Sequence, residues 1–156
     1  MFKIFKRKVR EIASPCDGEI VSLDKVNDEV FSTLMVGDGL AIKPINGTFT
    51  SPIDGVVSKI FSTNHAYSIK SDKDLEVLVH IGLDTVDLNG EGFTRVVEEG
   101  DSVKMGDTII IADLNYLSSQ NKDTITPIII TENSSVKNIE KRVKIVKSKD
   151  IIMRVS

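Results

Sequence analysis

The tightest constraint on this chain is a five-residue signature that occurs twice. Ser14-Pro15-Cys16-Asp17-Gly18 and Ser51-Pro52-Ile53-Asp54-Gly55 stand 37 residues apart, and β-branched residues follow each, Ile20-Val21 after Glu19 and Val56-Val57 directly. Proline presets φ and the Asp-Gly pair favours a tight turn, so each copy reads as a turn that feeds a strand. A solenoid needs roughly three or more such units, so two copies imply two related strand-turn-strand halves sharing one core. Residues 99–109 add a third punctuated stretch, with Gly100-Asp101 and Gly106-Asp107 either side of a short strand.

Composition agrees. Ile, Val and Thr supply 47 of the 156 residues, and β-branched side chains suit a pleated, half-buried surface. Gly, Pro and Asp break these runs about every eight to twelve residues, the spacing of antiparallel sandwiches and barrels. The expectation is an all-β antiparallel sandwich with an internal duplicated strand-turn-strand motif and little helix. A single domain spans 13–156, with no linker. One short helix is expected over 113–120, with Asp113 as N-cap and Leu114 and Leu117 as its apolar stripe. Residues 134–142 suit helix or loop, while 143–146 and Ile151–Val155 read as closing strands.

Charge is unevenly placed. Net charge is -3, but Lys3, Lys6, Arg7, Lys8 and Arg10 crowd the first twelve residues against Glu11 alone. The body is therefore acidic, and a broad nucleic-acid groove has nothing to neutralise phosphates with. If residues 1–12 were helical, Phe2, Phe5, Val9 and Ile12 would share one face, the outline of an amphipathic anchor for anionic membranes. A frayed, solvated tail is the alternative, because a dozen residues are marginal as an isolated helix. No apolar run approaches the roughly 20 residues of a spanning helix, and no secretory signal is recognised. Cys16 is the only cysteine, which excludes an internal disulfide and suits a reducing cytoplasm.

Both histidines fall in one predicted hairpin. Residues 65–70 and 75–81 are strand-like, and a turn centred on Asp72-Lys73 would pair Ile69 with Glu76, Tyr67 with Leu78 and His65 with His80. Opposed residues have Cβ atoms about 4.5–5.5 Å apart, so that register brings two imidazoles within reach. Thr63 and Phe61 continue the same face, and Val77, Val79 and Ile81 point to the core. Two near-neutral imidazoles offer nucleophilic or base chemistry, or metal binding. A metal site wants a third protein ligand; no third histidine exists, and Asp84 is the nearest carboxylate in sequence.

Four segments in order, Gly37-Asp38-Gly39-Leu40-Ala41-Ile42-Lys43-Pro44, Thr63-Asn64-His65-Ala66, Val79-His80-Ile81-Gly82-Leu83-Asp84-Thr85-Val86 and Gly90-Glu91-Gly92-Phe93, closely resemble the glucose-family IIA component of the bacterial sugar phosphotransferase system. The resemblance covers residues 12–131 and implies an antiparallel β-sandwich. It implies a phosphohistidine carrier and phosphotransferase component that takes its phosphoryl group from HPr and passes it to the IIB domain of a sugar permease, with no cofactor required. His80 matches the phosphorylated histidine, reacting through Nε2. His65 matches the partner that holds the phosphoryl oxygens, and Thr63 the residue that hydrogen-bonds it. The resemblance assigns Val30, Phe31, Val36, Phe61, Leu78 and Val86 to an apolar docking rim, with Asp28, Asp84 and Asp87 supplying charge that orients partners.

Leu78 departs from the family's usual Phe, Asp87 from its usual Glu, and the chain after Ile139 matches weakly. The resemblance further implies a cytoplasmic protein, peripheral at the inner membrane face if its tail binds lipid. It allows zinc between His65 and His80 in a partner complex, and regulatory targets such as glycerol kinase or other permeases. Two alternatives on related all-β folds fit less well. A biotinyl or lipoyl carrier needs a lysine at a hairpin tip in a Met-Lys-Met or Asp-Lys-Ala setting, absent here, and a zinc-dependent hydrolase needs a third ligand and a His-x-His motif.

Overall fold

The computed structural model describes residues 9–71, 74–131, 134, 136, 138–142 and 145–156. In chain order the strands are β1 (Arg10–Ala13), β2 (Gly18–Ser22), β3 (Gly37–Pro44), β4 (Thr48–Thr50), β5 (Gly55–Ile60), β6 (Ala66–Lys70) and β7 (Glu76–His80). There follow β8 (Phe93–Arg95), β9 (Ser102–Val103), β10 (Thr108–Ala112), β11 (Thr126–Thr131), β12 (Ile139–Lys141), β13 (Ile145–Val146) and β14 (Ile151–Val155). An eight-stranded sheet, β13-β2-β3-β11-β7-β6-β5-β9, is completed by two three-stranded sheets, β1-β14-β12 and β4-β10-β8. The paired strands are antiparallel, as the punctuated pattern requires.

The duplication is real at the level of single hydrogen bonds. Ser14 Oγ donates to Cys16 O and Ser51 Oγ to Ile53 O, both at 2.6 Å. Across the halves, Ala13 N–H donates to Pro52 O at 2.9 Å and Thr50 N–H to Pro15 O at 2.8 Å. Each Asp of the signature accepts a backbone N–H at 2.7 Å, Asp17 from Ser148 and Asp54 from Met105. Those donors belong to a second repeat, Val103-Lys104-Met105-Gly106-Asp107 against Val146-Lys147-Ser148-Lys149-Asp150, that the sequence reading did not pick up. Gly106 at φ 90° and Lys149 at φ 76° take the same left-handed step. The sheet order mirrors itself accordingly, with β13, β2, β3 and β11 answering β9, β5, β6 and β7.

One face of the large sheet packs into the main core through Ile20, Leu40, Ile42, Tyr67, Ile69, Val77, Val79 and Ile128. Its other face carries a smaller cluster in which Leu23, Val26 and Phe31 cover Ala41 and Ile129. That cover is the β2–β3 connection, which contains a short 3-10 turn at Leu23–Lys25 and the helix α1 (Glu29–Ser32). The one expected helix is α2 (Leu114–Ser119), capped as predicted by the Asp113 carboxylate on Tyr116 N, with Leu117 fully buried.

Two expectations are corrected. The β6–β7 register is shifted by one residue: Ala66 faces His80, Tyr67 faces Val79, Ser68 faces Leu78 and Ile69 faces Val77. Ser71 N–H donates to Leu75 O at 2.8 Å and Asp74 takes a left-handed φ of 58°, the device of a three-residue hairpin loop rather than a two-residue turn. Tyr67 consequently sits in the core, its hydroxyl donating to Thr50 O at 2.7 Å, and not on the histidine face. The expected turn centre, Asp72-Lys73, lies outside the described residues.

The second correction concerns the tail. Ile12 does not line a helix face; it pairs with Met153 in a strand and is fully buried, because β1 is the repeat of β4. The first strand among the described residues begins at Arg10, and residues 1–8 lie outside the described residues, as do Val143 and Lys144.

Candidate functional site

His80 ends β7 on the covered face of the large sheet, just before the left-handed Gly82 at φ 77°. Gly82 cannot carry a side chain there: a Cβ would lie 2.6 Å from Thr85 Cγ2 and 2.9 Å from Asp123 O. The tight loop turns the Gly82 carbonyl back onto His80, and Nδ1 lies 2.7 Å from that oxygen. A carbonyl only accepts, so Nδ1 bears the proton and Nε2 keeps its lone pair. The fully buried Thr85 supports the loop from beneath, its hydroxyl donating to Ile81 O at 2.6 Å.

His65 reaches the same place by a different route. Strict alternation in the observed register would send it to the core face, but β6 starts one residue later and Asn64 takes a left-handed φ of 57°. The pairing nevertheless begins here, since Ile81 N–H donates to His65 O at 2.7 Å. The two imidazoles meet with centroids 4.9 Å apart and planes at 79°. Thr63 Oγ1 is 2.6 Å from His65 Nδ1, and the Phe61 ring stands edge-on to His65 at 5.3 Å.

Burial sets the charge state of both rings. Desolvation, helped by the neighbouring His80, pulls His65 down to a pKa of about 4. Desolvation also lowers His80, although the Gly82 carbonyl and the Asp28 and Asp84 carboxylates pull the other way. Two neutral imidazoles, one with an oriented lone pair, suit nucleophilic chemistry at neutral pH.

The residues expected around the pair are distributed unequally. Val30 (41% exposed) and Val86 (49%) are open to solvent, and Val36, Phe61 and Leu78 are half-buried. Phe31 is only 5% exposed and sets its ring 5.0 Å from that of His80 at a tilt of 59°, so it buttresses the site. Asp28 caps α1 by accepting from Val30 N at 3.0 Å, while Asp84 stands exposed at a left-handed φ of 56°. Asp87 is drawn aside by Lys122, 3.2 Å away.

Some contributors were not read from the sequence. Leu34 (44% exposed) and Met35 (63%) extend the open apolar surface beyond Val30. Asp28 two residues ahead of Val30-Phe31 is an N-cap signal that could have revealed α1. The Gly82 carbonyl could not have been found, because a main-chain acceptor leaves no mark on composition. Among the described residues no group of three His, Cys, Asp or Glu could hold a metal ion, so His65 and His80 stand as a pair.

Comparison with known proteins points the same way as the geometry. Residues 10–136 match the family model for the phosphoenolpyruvate-dependent sugar phosphotransferase system, EIIA 1. The chain is 49% identical over 132 residues to the PTS system glucose-specific EIIA component of Haemophilus influenzae, covering 85% of this chain and 80% of that protein. It is 44% identical over 135 residues to the component of the same name from Borreliella burgdorferi, covering 86% and 71% respectively. The solved structure of glucose permease IIA from Mycoplasma capricolum superposes with a TM-score of 0.91 at 36% identity, over 97% of this chain and 99% of that one. The chain belongs to the EIIA 1 family of the phosphoenolpyruvate-dependent sugar phosphotransferase system, and is a phosphotransferase component that carries phosphoryl groups on histidine in sugar uptake, working with HPr and the IIB domain of a permease.

Proposed function

We propose that His80 is the acceptor, that His65 clamps the transferred group, and that Thr63 sets the tautomer of His65. The observation that carries this reading is the 2.7 Å contact between His80 Nδ1 and Gly82 O, which leaves Nε2 as the reactive nitrogen. The Nε2 lone pair attacks phosphorus as the bond to HPr breaks, and the electron pair of that bond returns to HPr. No proton has to leave Nε2, because Nδ1 already holds it. The ring gains positive character, offset by the Gly82 carbonyl and by Asp28 and Asp84. Thr63 donates its hydroxyl to His65 Nδ1, which puts the remaining ring N–H on Nε2 for a phosphoryl oxygen. Phosphoryl transfer asks mainly for such positioning and charge stabilisation.

Val30, Phe31, Val36, Phe61, Leu78 and Val86 form the docking rim and its support. The exposed members supply apolar contact, while Asp28, Asp84 and Asp87 steer basic groups of HPr and IIB. The names of the relatives support a glucose permease as the destination. The assignment is tested by incubating wild type, His80→Gln and His65→Gln with enzyme I, HPr and phosphoenolpyruvate, then reading intact mass before and after acid. An acid-labile gain of one phosphoryl group in wild type and His65→Gln, absent in His80→Gln, is expected. Equal loss of acceptance in both variants contradicts the division of roles. Onward transfer to a glucose IIB domain, and not to a mannitol one, tests the sugar.

The remaining readings follow from the same surfaces. Regulatory targets such as glycerol kinase or other permeases dock on this exposed rim, and zinc binds His65 and His80 where a partner lends a carboxylate as third ligand. Calorimetry with zinc, alone and beside glycerol kinase, tests both. The basic, apolar-spaced start of the chain supports contact with anionic membranes, and a cytoplasmic protein peripheral to the inner face follows. Circular dichroism of a peptide of residues 1–14 with anionic vesicles tests this, and an unchanged spectrum contradicts it.

A further inference from the structure

The turn over residues 61–65 supplies three groups to the site: the Phe61 ring, the Thr63 hydroxyl and the His65 imidazole. Its backbone is held where Asn64 N–H donates to Phe61 O at 2.7 Å, Phe61 N–H to Ala66 O at 3.0 Å and Ile81 N–H to His65 O at 2.7 Å. Asn64 takes the left-handed conformation that asparagine tolerates better than most residues, and its side chain has support from outside the turn. That support comes from Arg95, at the end of β8. Its Nε donates to Asn64 Oδ1 at 2.9 Å, and its Nη2 reaches Phe61 O at 3.4 Å. One planar guanidinium thus grips both ends of the turn with a fork that lysine cannot reproduce.

Arg95 is itself anchored. Its Nη1 is 3.1 Å from Glu98, and β8 is paired through Arg95 with Ile110 of β10. The next segment secures the entrance to the turn, since Ile60 N–H donates to Glu99 Oε1 at 2.9 Å. The side chain of Arg95 is 27% exposed, so its fork works in partial shelter from water.

We propose that Arg95 is a positioning residue for phosphoryl transfer: by gripping Asn64 and Phe61 it fixes the 61–65 turn, and through it the tautomer-setting contact of Thr63 and the angle of His65 towards His80. The side-chain hydrogen bonds of Arg95 go to Asn64, Phe61 and Glu98 and not to either imidazole, so it acts through the turn. This rests on the assignment of His65 as clamp. It predicts that loss of Arg95 spares acceptance from phospho-HPr and slows onward transfer on the order of tenfold, since a displacement near 1 Å can cost still more.

The test compares Arg95→Met, Arg95→Lys and Asn64→Gly, each alone and combined with His65→Gln, in acceptance from phospho-HPr and transfer to a IIB domain. Glycine keeps the left-handed backbone of residue 64 while removing the oxygen that Arg95 grips, so Asn64→Gly covers the case in which Arg95→Met fails to fold. Both are expected to slow onward transfer in the wild-type background and to add nothing once His65 is already Gln, with Arg95→Lys between them and wild type. An independent readout is the imidazole 15N spectrum of the unphosphorylated protein, in which Arg95→Met and Asn64→Gly should shift the His65 resonances and leave the His80 Nδ1–H intact. Equal slowing in the His65→Gln background, or an unmoved His65 spectrum, overturns the proposal. If His65→Gln proves no slower than wild type while the spectrum still moves, the clamp assignment fails and the grip of Arg95 on the turn stands.

Discussion

The two halves of this molecule differ most where each crosses from the first strand of its repeat to the second. In one half β5 passes to β6 through the short turn of residues 61–65; in the other β2 passes to β3 through residues 23–36, which fold into the 3-10 turn and α1. The halves repeat the same hydrogen bonds at the paired Ser-Pro turns and at the Asp carboxylates that hold the segments after β9 and β13. The difference teaches where the chemistry lies. The short connection delivers Thr63 and His65, the long one delivers Asp28, Val30 and Phe31, and the two meet at His80. The repeat builds the frame, and the site arises where the repeat is broken.

That contrast separates two kinds of substitution. The largest effect is expected from His80→Gln, which abolishes phosphoryl acceptance while leaving the thermal unfolding midpoint near wild type, since the ring lies at the end of its strand and outside the main core; intact mass and calorimetry check the two halves of this statement. His65→Gln should keep acceptance and lower onward transfer by about a hundredfold or less, read by quench-flow with a IIB domain. A frame substitution should do the reverse. Asp17→Ala and Asp54→Ala each remove a charged acceptor of a 2.7 Å backbone bond, and each should cost about 1–2 kcal/mol in urea unfolding with transfer rates unchanged. Asp17 should cost more, because its second oxygen also accepts from Asn46 at 2.7 Å.

The last effect is in pH. An unfolded His65 takes its proton near the free-imidazole value of about 6.5, whereas the folded ring stays neutral down to about 4. Between those values the unfolded state binds the extra proton, so stability falls as pH drops through the window. His65→Gln should flatten that slope, and urea titrations at intervals of pH will show it.

The frame was largely legible in the sequence because it rests on local signals. Ser-Pro-x-Asp-Gly announces its turns, and β-branched runs announce strands. The second repeat was harder to see, since Lys149 stands where its counterpart is Gly106 and only the backbone shows that both take the same left-handed step. The site was legible in its members and not in its geometry. The hairpin was read one residue out of register, because Asp74 supplies a left-handed residue that no glycine advertises. In a regular sheet that slip would have parted the histidines. They meet because a second left-handed residue, Asn64, releases His65 from alternation just before β6 begins.

The most direct test of this account is the 15N and 31P spectrum of the phosphorylated protein with uniformly labelled histidine. The phosphorus should couple to Nε2 of His80, with Nδ1 of the same ring still protonated against the Gly82 carbonyl. Coupling to Nδ1 of His80, or to either nitrogen of His65, would contradict it.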